Sequence, residues 1–315
     1  MAYNILIAGA GQLGSRYLQG FSKFNDLLNI YVFDISDDSL KVAQLRWEAC
    51  NNNFHQVHYI KEYNKLPQLI DLAIVSSTAN VRVEIDKNIT VNTHVNYWIL
   101  EKILATSISD LNEIKSLTTT SLNSWVNTPM HAWPLYKYLA TKYTSPKKVS
   151  AKFLNFNGLA CNCIHYIDFI SRWVNSEVEV IDLTSLKDSW IPAKREGFYE
   201  IEGRMSFKFK DGTILNMSSK DDDKDYIVEI VVEGETWHIN ENDGHAKSSY
   251  GNEIFEKTLL QSELTAIFLE QIVNTGNCEL PNLEQSINQH IPLIHNLINH
   301  WNQFMDSEID RVPIT

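Results

Sequence analysis

The chain has 315 residues, of which 44% are hydrophobic and 21% charged, and a formal net charge of −12 at pH 7. That balance suits a globular protein with apolar side chain for more than one core. The acidity, with no Lys/Arg stripe to offset it, repels a phosphate backbone and excludes nucleic acid as an expected partner.

No apolar stretch approaches the ~20 residues that span a bilayer. The amino terminus enters an apolar strand without the basic and apolar regions of a secretory signal, so a cytoplasmic protein is expected. Cys50, Cys161, Cys163 and Cys278 are too few and too scattered for a disulfide framework, and reduced thiols are expected.

Short apolar runs alternate with helical segments over the first half. The runs are Ile5 to Ala8, Ile30 to Phe33, His58 to Ile60, Leu72 to Val75 and Val95 to Leu100. Strands apolar on both faces and separated by helices make a parallel sheet covered on each side. Residues 1–123 are therefore read as a doubly wound, Rossmann-type α/β domain.

Directly after the first run stands Gly9-Ala10-Gly11-Gln12-Leu13-Gly14, a G-x-G-x-x-G followed by helical spacing to about Phe24. The first glycine permits the tight turn and the second lets the backbone approach a pyrophosphate. The third lets helix and strand pack closely, while the helix N-terminus offers unpaired N–H groups to the phosphate. The second run ends in Asp34, twenty positions after Gly14, where an acid accepts hydrogen bonds from ribose hydroxyls. Asp34 would repel a 2′-phosphate, and Ile35 to Asp38 hold no arginine to receive one, so NAD is expected rather than NADP.

After a junction at Ser121 to Asn127 the composition becomes strand-rich: Lys148 to Asn157, Val178 to Leu186, Tyr199 to Lys210, Thr213 to Ser218, Tyr226 to Glu233 and Thr236 to Ile239. Asp211-Gly212 separates two of these as a hairpin turn. One helix, roughly Cys163 to Val174, is read as preceding the sheet, and two, near Glu256 to Asn274 and Glu284 to Phe304, as following it. Residues 124–315 are read as an α+β domain with an open, mainly antiparallel sheet. The run Asp221 to Asp225 reads as a solvated hairpin tip rather than a metal site; no metal is expected anywhere in the chain.

Three further stretches matter together with the fingerprint: Leu100-Glu101-Lys102-Ile103, Gly158 to Asp168, and Leu280-Pro281-Asn282-Leu283-Glu284-Gln285-Ser286. In this order and spacing the chain resembles the glucose-fructose oxidoreductase and inositol dehydrogenase (Gfo/Idh/MocA) family, with its Rossmann domain, E-K-P motif and H-x-x-D helix. The resemblance covers nearly the whole chain. It implies an open antiparallel sheet used for oligomerisation, as a dimer or tetramer, and nicotinamide-dependent oxidation or reduction of a sugar or cyclitol carbon. Carried over, Lys102 is the E-K-P lysine that contacts the reacting hydroxyl and the cofactor, beside Glu101. His165 is the proton-exchanging histidine, Asp168 the acid one turn on, and Ser77 and Thr78 fall where the family contacts the dinucleotide. The chain departs from the pattern at Ile103, in place of the proline, and at Cys161 and Cys163, in place of an Asp and a Gly. It also departs at Asn127 to Pro134, which holds no arginine.

The chemistry fits those residues. Loss of hydride from an alcohol needs a base for the hydroxyl proton, and histidine titrates near working pH. His165 and Asp168 share a helix face. A lysine at a strand's C-terminal end faces the ligand crevice of an open α/β sheet, where its ammonium polarises a substrate oxygen. Taken singly, His165 reads more readily as a satisfied, partly buried histidine and Lys102 as a surface lysine; the resemblance favours catalysis. Cys161 and Cys163 lack zinc spacing and read as buried thiols. The expected function is an NAD-dependent oxidoreductase acting on a sugar or sugar derivative. The Leu280 to Ser286 and Trp133 to Tyr136 stretches resemble oxidoreductases of surface-polysaccharide biosynthesis. A non-catalytic NAD-binding sensor or scaffold, and a redox-neutral epimerase or glycosidase that recycles NAD, stay open.

Overall fold

The computed structural model describes residues 2–52, 54–221 and 224–315. They form two compact units, one of residues 1–104, 109–127 and 259–284, the other of residues 105–108, 128–258 and 285–315.

The first unit carries a parallel six-stranded sheet. Its strands and helices run β1 (Tyr3–Ala8), α1 (Gln12–Phe21), β2 (Leu28–Phe33), α2 (Asp37–Glu48), β3 (Gln56–Ile60), β4 (Leu69–Val75), α3 (Ala79–Asn92), β5 (His94–Leu100), α4 (Ile108–Leu117) and β6 (Asn123–Val126). The strand order β3-β2-β1-β4-β5-β6 reverses between β1 and β4, the switch point beside which ligands bind in such sheets. Ile5 to Ala8 and Leu72 to Val75 are buried, as strands covered on both faces require.

The segment read as a junction is β6, which pairs with β5 through Tyr97–Asn123 to Leu100–Val126. A cut at 123/124 therefore falls at the start of a strand of the first sheet. The later helix α7 (Gln261–Thr275) also belongs to this unit, packed on α1. Gly20 permits that approach, because a Cβ there would lie 2.5 Å from Thr265 Cβ. Composition along the chain cannot reveal a helix that returns to the first unit after the second has been built.

The second unit holds α5 (Pro134–Lys142), β7 (Ser150–Phe156), α6 (Leu159–Val174), β8 (Val178–Pro192), β9 (Tyr199–Phe209), β10 (Ile214–Ser219), β11 (Ile227–Val232), β12 (Glu235–Asn240), β13 (His245–Ser248), β14 (Glu253–Phe255) and α8 (Leu283–Phe304), α8 belonging mostly to it. Its eight-stranded sheet has the order β14-β13-β12-β11-β7-β10-β9-β8. It is antiparallel except where β10 pairs with β7. The Asp211-Gly212 turn joins β9 to β10 as expected, with Gly212 at φ +90°.

Three readings change. Strand β8 continues six residues past Leu186 to Pro192, because register shifts between Asp182 and Ser185 and between Leu186 and Trp190 break the alternation that marks a strand. Helix α6 begins at Leu159 rather than Cys163. Finally, β10 and β11 flank β7 on opposite sides, so they are not paired as a hairpin at the acidic run. Asp221 and Lys224 pair there; Asp222 and Asp223 of the acidic run lie outside the described residues. Among the described residues no helix is long and apolar enough to cross a membrane.

Candidate functional site

The glycine loop sits at the C-terminal end of β1. Gly9 has φ +100°, and a Cβ there would approach the Ser76 and Ser77 backbone to 3.1 Å. At Gly14 a Cβ would fall 1.8 Å from the Gly9 carbonyl oxygen. Gly11 differs: nothing lies within 4 Å of its ideal Cβ position. It is the N-cap of α1, in extended conformation, with no side chain capping the helix and no acid in the first turn, which begins at Gln12 and Leu13. The first N–H groups of a helix have no intrahelical partners, so this terminus is open to an anion.

Asp34 closes the loop from the end of β2. Its Oδ2 accepts from Ala10 N (2.7 Å) and its Oδ1 from Ser36 N (2.8 Å). Each carboxylate oxygen keeps a further lone pair. Ser36 in turn caps α2, accepting from Ser39 N at 3.2 Å. Across the switch point, Ser76 Oγ donates to Gly9 O (2.7 Å), and Ser77 Oγ is buried with no hydrogen-bond partner among the described residues. Thr78 is the N-cap of α3. An open Gly11, an uncapped helix N-terminus, an aligned carboxylate and an orphaned hydroxyl suit a dinucleotide.

Glu101 and Lys102 follow β5. Glu101 is buried, 3% exposed, and accepts from Tyr17 Oη and from Asn127 Nδ2 (2.7 Å). Burial pushes its carboxyl above the usual range, against the hydrogen bonds from Tyr17 and Asn127 and the charges of Arg82 and Lys102. Lys102 is half-buried, and the Lys102–Ile103 peptide bond is cis. Behind this strap lies Arg82, 1% exposed. Its guanidinium donates to the carbonyls of Ile103, Leu104 (2.6 Å) and Ser77 (2.6 Å). Asp86, one turn along α3 and fully buried, has neither oxygen hydrogen-bonded among the described residues. Burial lifts its carboxyl to about 7 against the pull of Arg82.

In the second unit α6 presents the H-x-x-D pair. Gly158, left-handed at φ +73°, starts the helix. Glu200 of β9 takes up its first amides, Ala160 N at 2.8 Å and Cys161 N at 3.3 Å, so the early start of α6 is fixed by an acid forty residues on. His165 is half-buried. Asp168 is 2% exposed, and its Oδ2 accepts from Thr128 Oγ1 (2.7 Å) and Ser286 Oγ (3.1 Å). Burial raises its carboxyl to about 6, opposed by those hydroxyls and by Arg172. His290 Nδ1 lies 2.8 Å from the Ser286 carbonyl, which extends the buried polar cluster. A cavity of about 960 Å³, whose walls include Cys161, Asn162, Lys194, Arg195 and Glu200, opens beside the N-terminal turn of α6. Cys163 is buried and Cys161 half-buried, and no disulfide joins the four cysteines among the described residues.

The structure thus brings Gly9, Gly11, Gln12, Leu13, Gly14, Asp34, Ser77, Thr78, Glu101 and Lys102 to the C-terminal ends of neighbouring strands in one unit. His165 and Asp168 sit on α6 of the other. Sequence reading missed Arg82, Asp86, Tyr17 and Asn127. Arg82 and Asp86 have the i, i+4 spacing of a solvated surface pair, and nothing in the sequence marks them as buried.

No protein-family model matches the chain, and no curated protein matches it. Solved structures do. UDP-N-acetylglucosamine 3-dehydrogenase from Acidithiobacillus ferrooxidans superposes with a TM-score of 0.72 at 10% identity, over 97% of this chain and 99% of that one. The two share their fold over nearly the whole of both chains. Myo-inositol dehydrogenase from Lactobacillus casei, solved with NAD(H) and myo-inositol, gives 0.67 at 14% identity, over 98% and 96%. An oxidoreductase from Agrobacterium radiobacter, solved with NAD+, L-tartaric acid and magnesium, gives 0.68 at 12% identity, over 93% and 94%. The architecture implied by the motif resemblance is therefore present along nearly the whole chain.

Proposed function

We propose that the chain is an NAD-dependent oxidoreductase acting on a CH–OH carbon of a sugar or sugar derivative. The observation that carries this reading is the open, uncapped start of α1 at Gly11, set against Asp34 at the end of β2. The α1 amides would hold the pyrophosphate, Asp34 the adenosine ribose hydroxyls, and Ser77 Oγ a further polar edge. Bound there, the nicotinamide supplies a hydride acceptor or donor. The dehydrogenases that share the fold support the same class of chemistry.

In this reading Lys102 polarises the reacting oxygen with its ammonium. His165 takes the hydroxyl proton on oxidation and returns it on reduction. Asp168, held by Thr128 and Ser286, supports α6 and its histidine. The cavity beside Cys161, with Lys194 and Arg195 in its wall, suits a substrate carrying an anionic group, such as a nucleotide-linked sugar of surface-polysaccharide synthesis. Assembly as a dimer or tetramer through the eight-stranded sheet belongs to the same proposal, supported by the largely exposed β8. So does a cytoplasmic location.

Calorimetric titration with NAD, NADH and NADP tests it. Preference for NAD(H), weakened at least roughly tenfold in Asp34→Ala, is the expected result. Absorbance at the NADH band is then followed with free and UDP-linked sugars. Failure to bind any dinucleotide overturns the reading. Tight binding without turnover on any sugar would favour a sensor or scaffold, and a retained cofactor that converts sugar without net NADH would favour redox-neutral chemistry.

A further inference from the structure

Lys102 has no proline after it. In a Lys-Pro step the ring fixes φ of the second residue; here that residue is Ile103, and the backbone on the C-terminal side of the lysine must be held otherwise. On the N-terminal side Glu101 is fixed through its buried carboxylate by Tyr17 and Asn127. On the C-terminal side the carbonyls of Ile103 and Leu104 both accept from the Arg82 guanidinium, which also reaches the carbonyl of Ser77.

We infer that Arg82 is a positioning residue that takes the place of the missing proline: its buried fork holds the Lys102 strap and ties it to the Ser77–Thr78 loop. The inference rests on the role proposed for Lys102. Three features carry it. Arg82 is 1% exposed, so its bonds are not exchanged with solvent water. A guanidinium presents its donors in a rigid plane, which suits several fixed carbonyls at once and which an ammonium cannot copy. Burial lowers the guanidinium's pKa, and Asp86 and Glu101, which face it from α3 and the end of β5, oppose that shift. A buried arginine spanning two loops is costly unless its hydrogen bonds are made, and three of its donor contacts go to the backbone of those two loops.

Its consequence is a coupling within one unit. Ser77 O and Ile103 O share one side chain, so the loop proposed to line the dinucleotide and the strap that carries the lysine move together or not at all.

The test uses the full-length protein with its lysines reductively methylated by ¹³C-formaldehyde, the Lys102 resonance being assigned by its loss in Lys102→Arg. Wild type is expected to give one sharp Lys102 signal. Arg82→Lys keeps a cation opposite Asp86 and Glu101 but loses the fork; its Lys102 signal is expected to broaden or shift, and NADH binding to weaken roughly tenfold, the scale of one charge-assisted hydrogen bond. Ile103→Pro in the Arg82→Lys background is expected to restore the Lys102 signal, which a merely structural role for Arg82 would not produce. An unchanged Lys102 signal in folded Arg82→Lys overturns the inference, as does a disturbed signal that Ile103→Pro leaves disturbed. If wild type binds no NADH yet the signal changes and is rescued, the cofactor reading falls and the clamp stands.

Discussion

The glycines of the first loop carry different burdens, and the difference separates folding from function. A methyl group at Gly14 would meet the Gly9 carbonyl at 1.8 Å, so Gly14→Ala is expected to cost at least about 2 kcal/mol in urea denaturation. At Gly11 the backbone is extended with φ −63° and the space beyond is open. Gly11→Ala should therefore stay within about 0.5 kcal/mol of wild type, yet lose at least roughly tenfold in NADH affinity, because the added methyl points where backbone and pyrophosphate must meet. Equal losses of stability in the two variants would sink that distinction.

Among the elements, α7 shows how packing reassigns a segment. It follows the last strand of the second sheet, but Gly20 lets it lie on α1, with Ser262 O and Thr265 Oγ1 at 3.0 and 2.8 Å from where a Cβ would be. Alanine at position 20 would gain about 1 kcal/mol of helix propensity. The overlap with Thr265 and the Ser262 backbone outweighs it, and a net loss of about 1–2 kcal/mol is expected for Gly20→Ala in chemical denaturation; a stabilised variant would mean that α7 yields freely. Helix α6 shows the same dependence on distant chain, since Glu200 from β9 receives its first amides.

For the molecule as a whole, buried acids set a pH dependence opposite to the common one. Asp86 is lifted from 3.8 to about 7 in the fold. The folded chain thus holds a proton that the unfolded chain has released, and stability contributed by this group is greatest below about pH 4 and falls as pH rises to about 7. Comparing thermal unfolding of wild type and Asp86→Asn between pH 4.5 and 8 isolates it: wild type is expected to lose ground against the variant as pH rises, by a few kcal/mol at most. A constant gap across that range would contradict the assignment. The amino-acid sequence by itself determined five of the six strands of the first sheet, because runs such as Ile5 to Ala8 and Leu72 to Val75 are apolar and their burial needs no partner identity, and it determined the glycine loop and Asp34, because their spacing is local chemistry. It also marked the Asp211-Gly212 turn, where two adjacent residues decide the backbone. Only the tertiary structure decided that β6 and α7 complete the first unit, that β10 and β11 lie on either side of β7, and that Arg82, Asp86, Tyr17 and Asn127 converge behind Lys102. Those are contacts between residues far apart in the chain, and a charged side chain looks the same in a sequence whether water or a ring of buried carbonyls surrounds it.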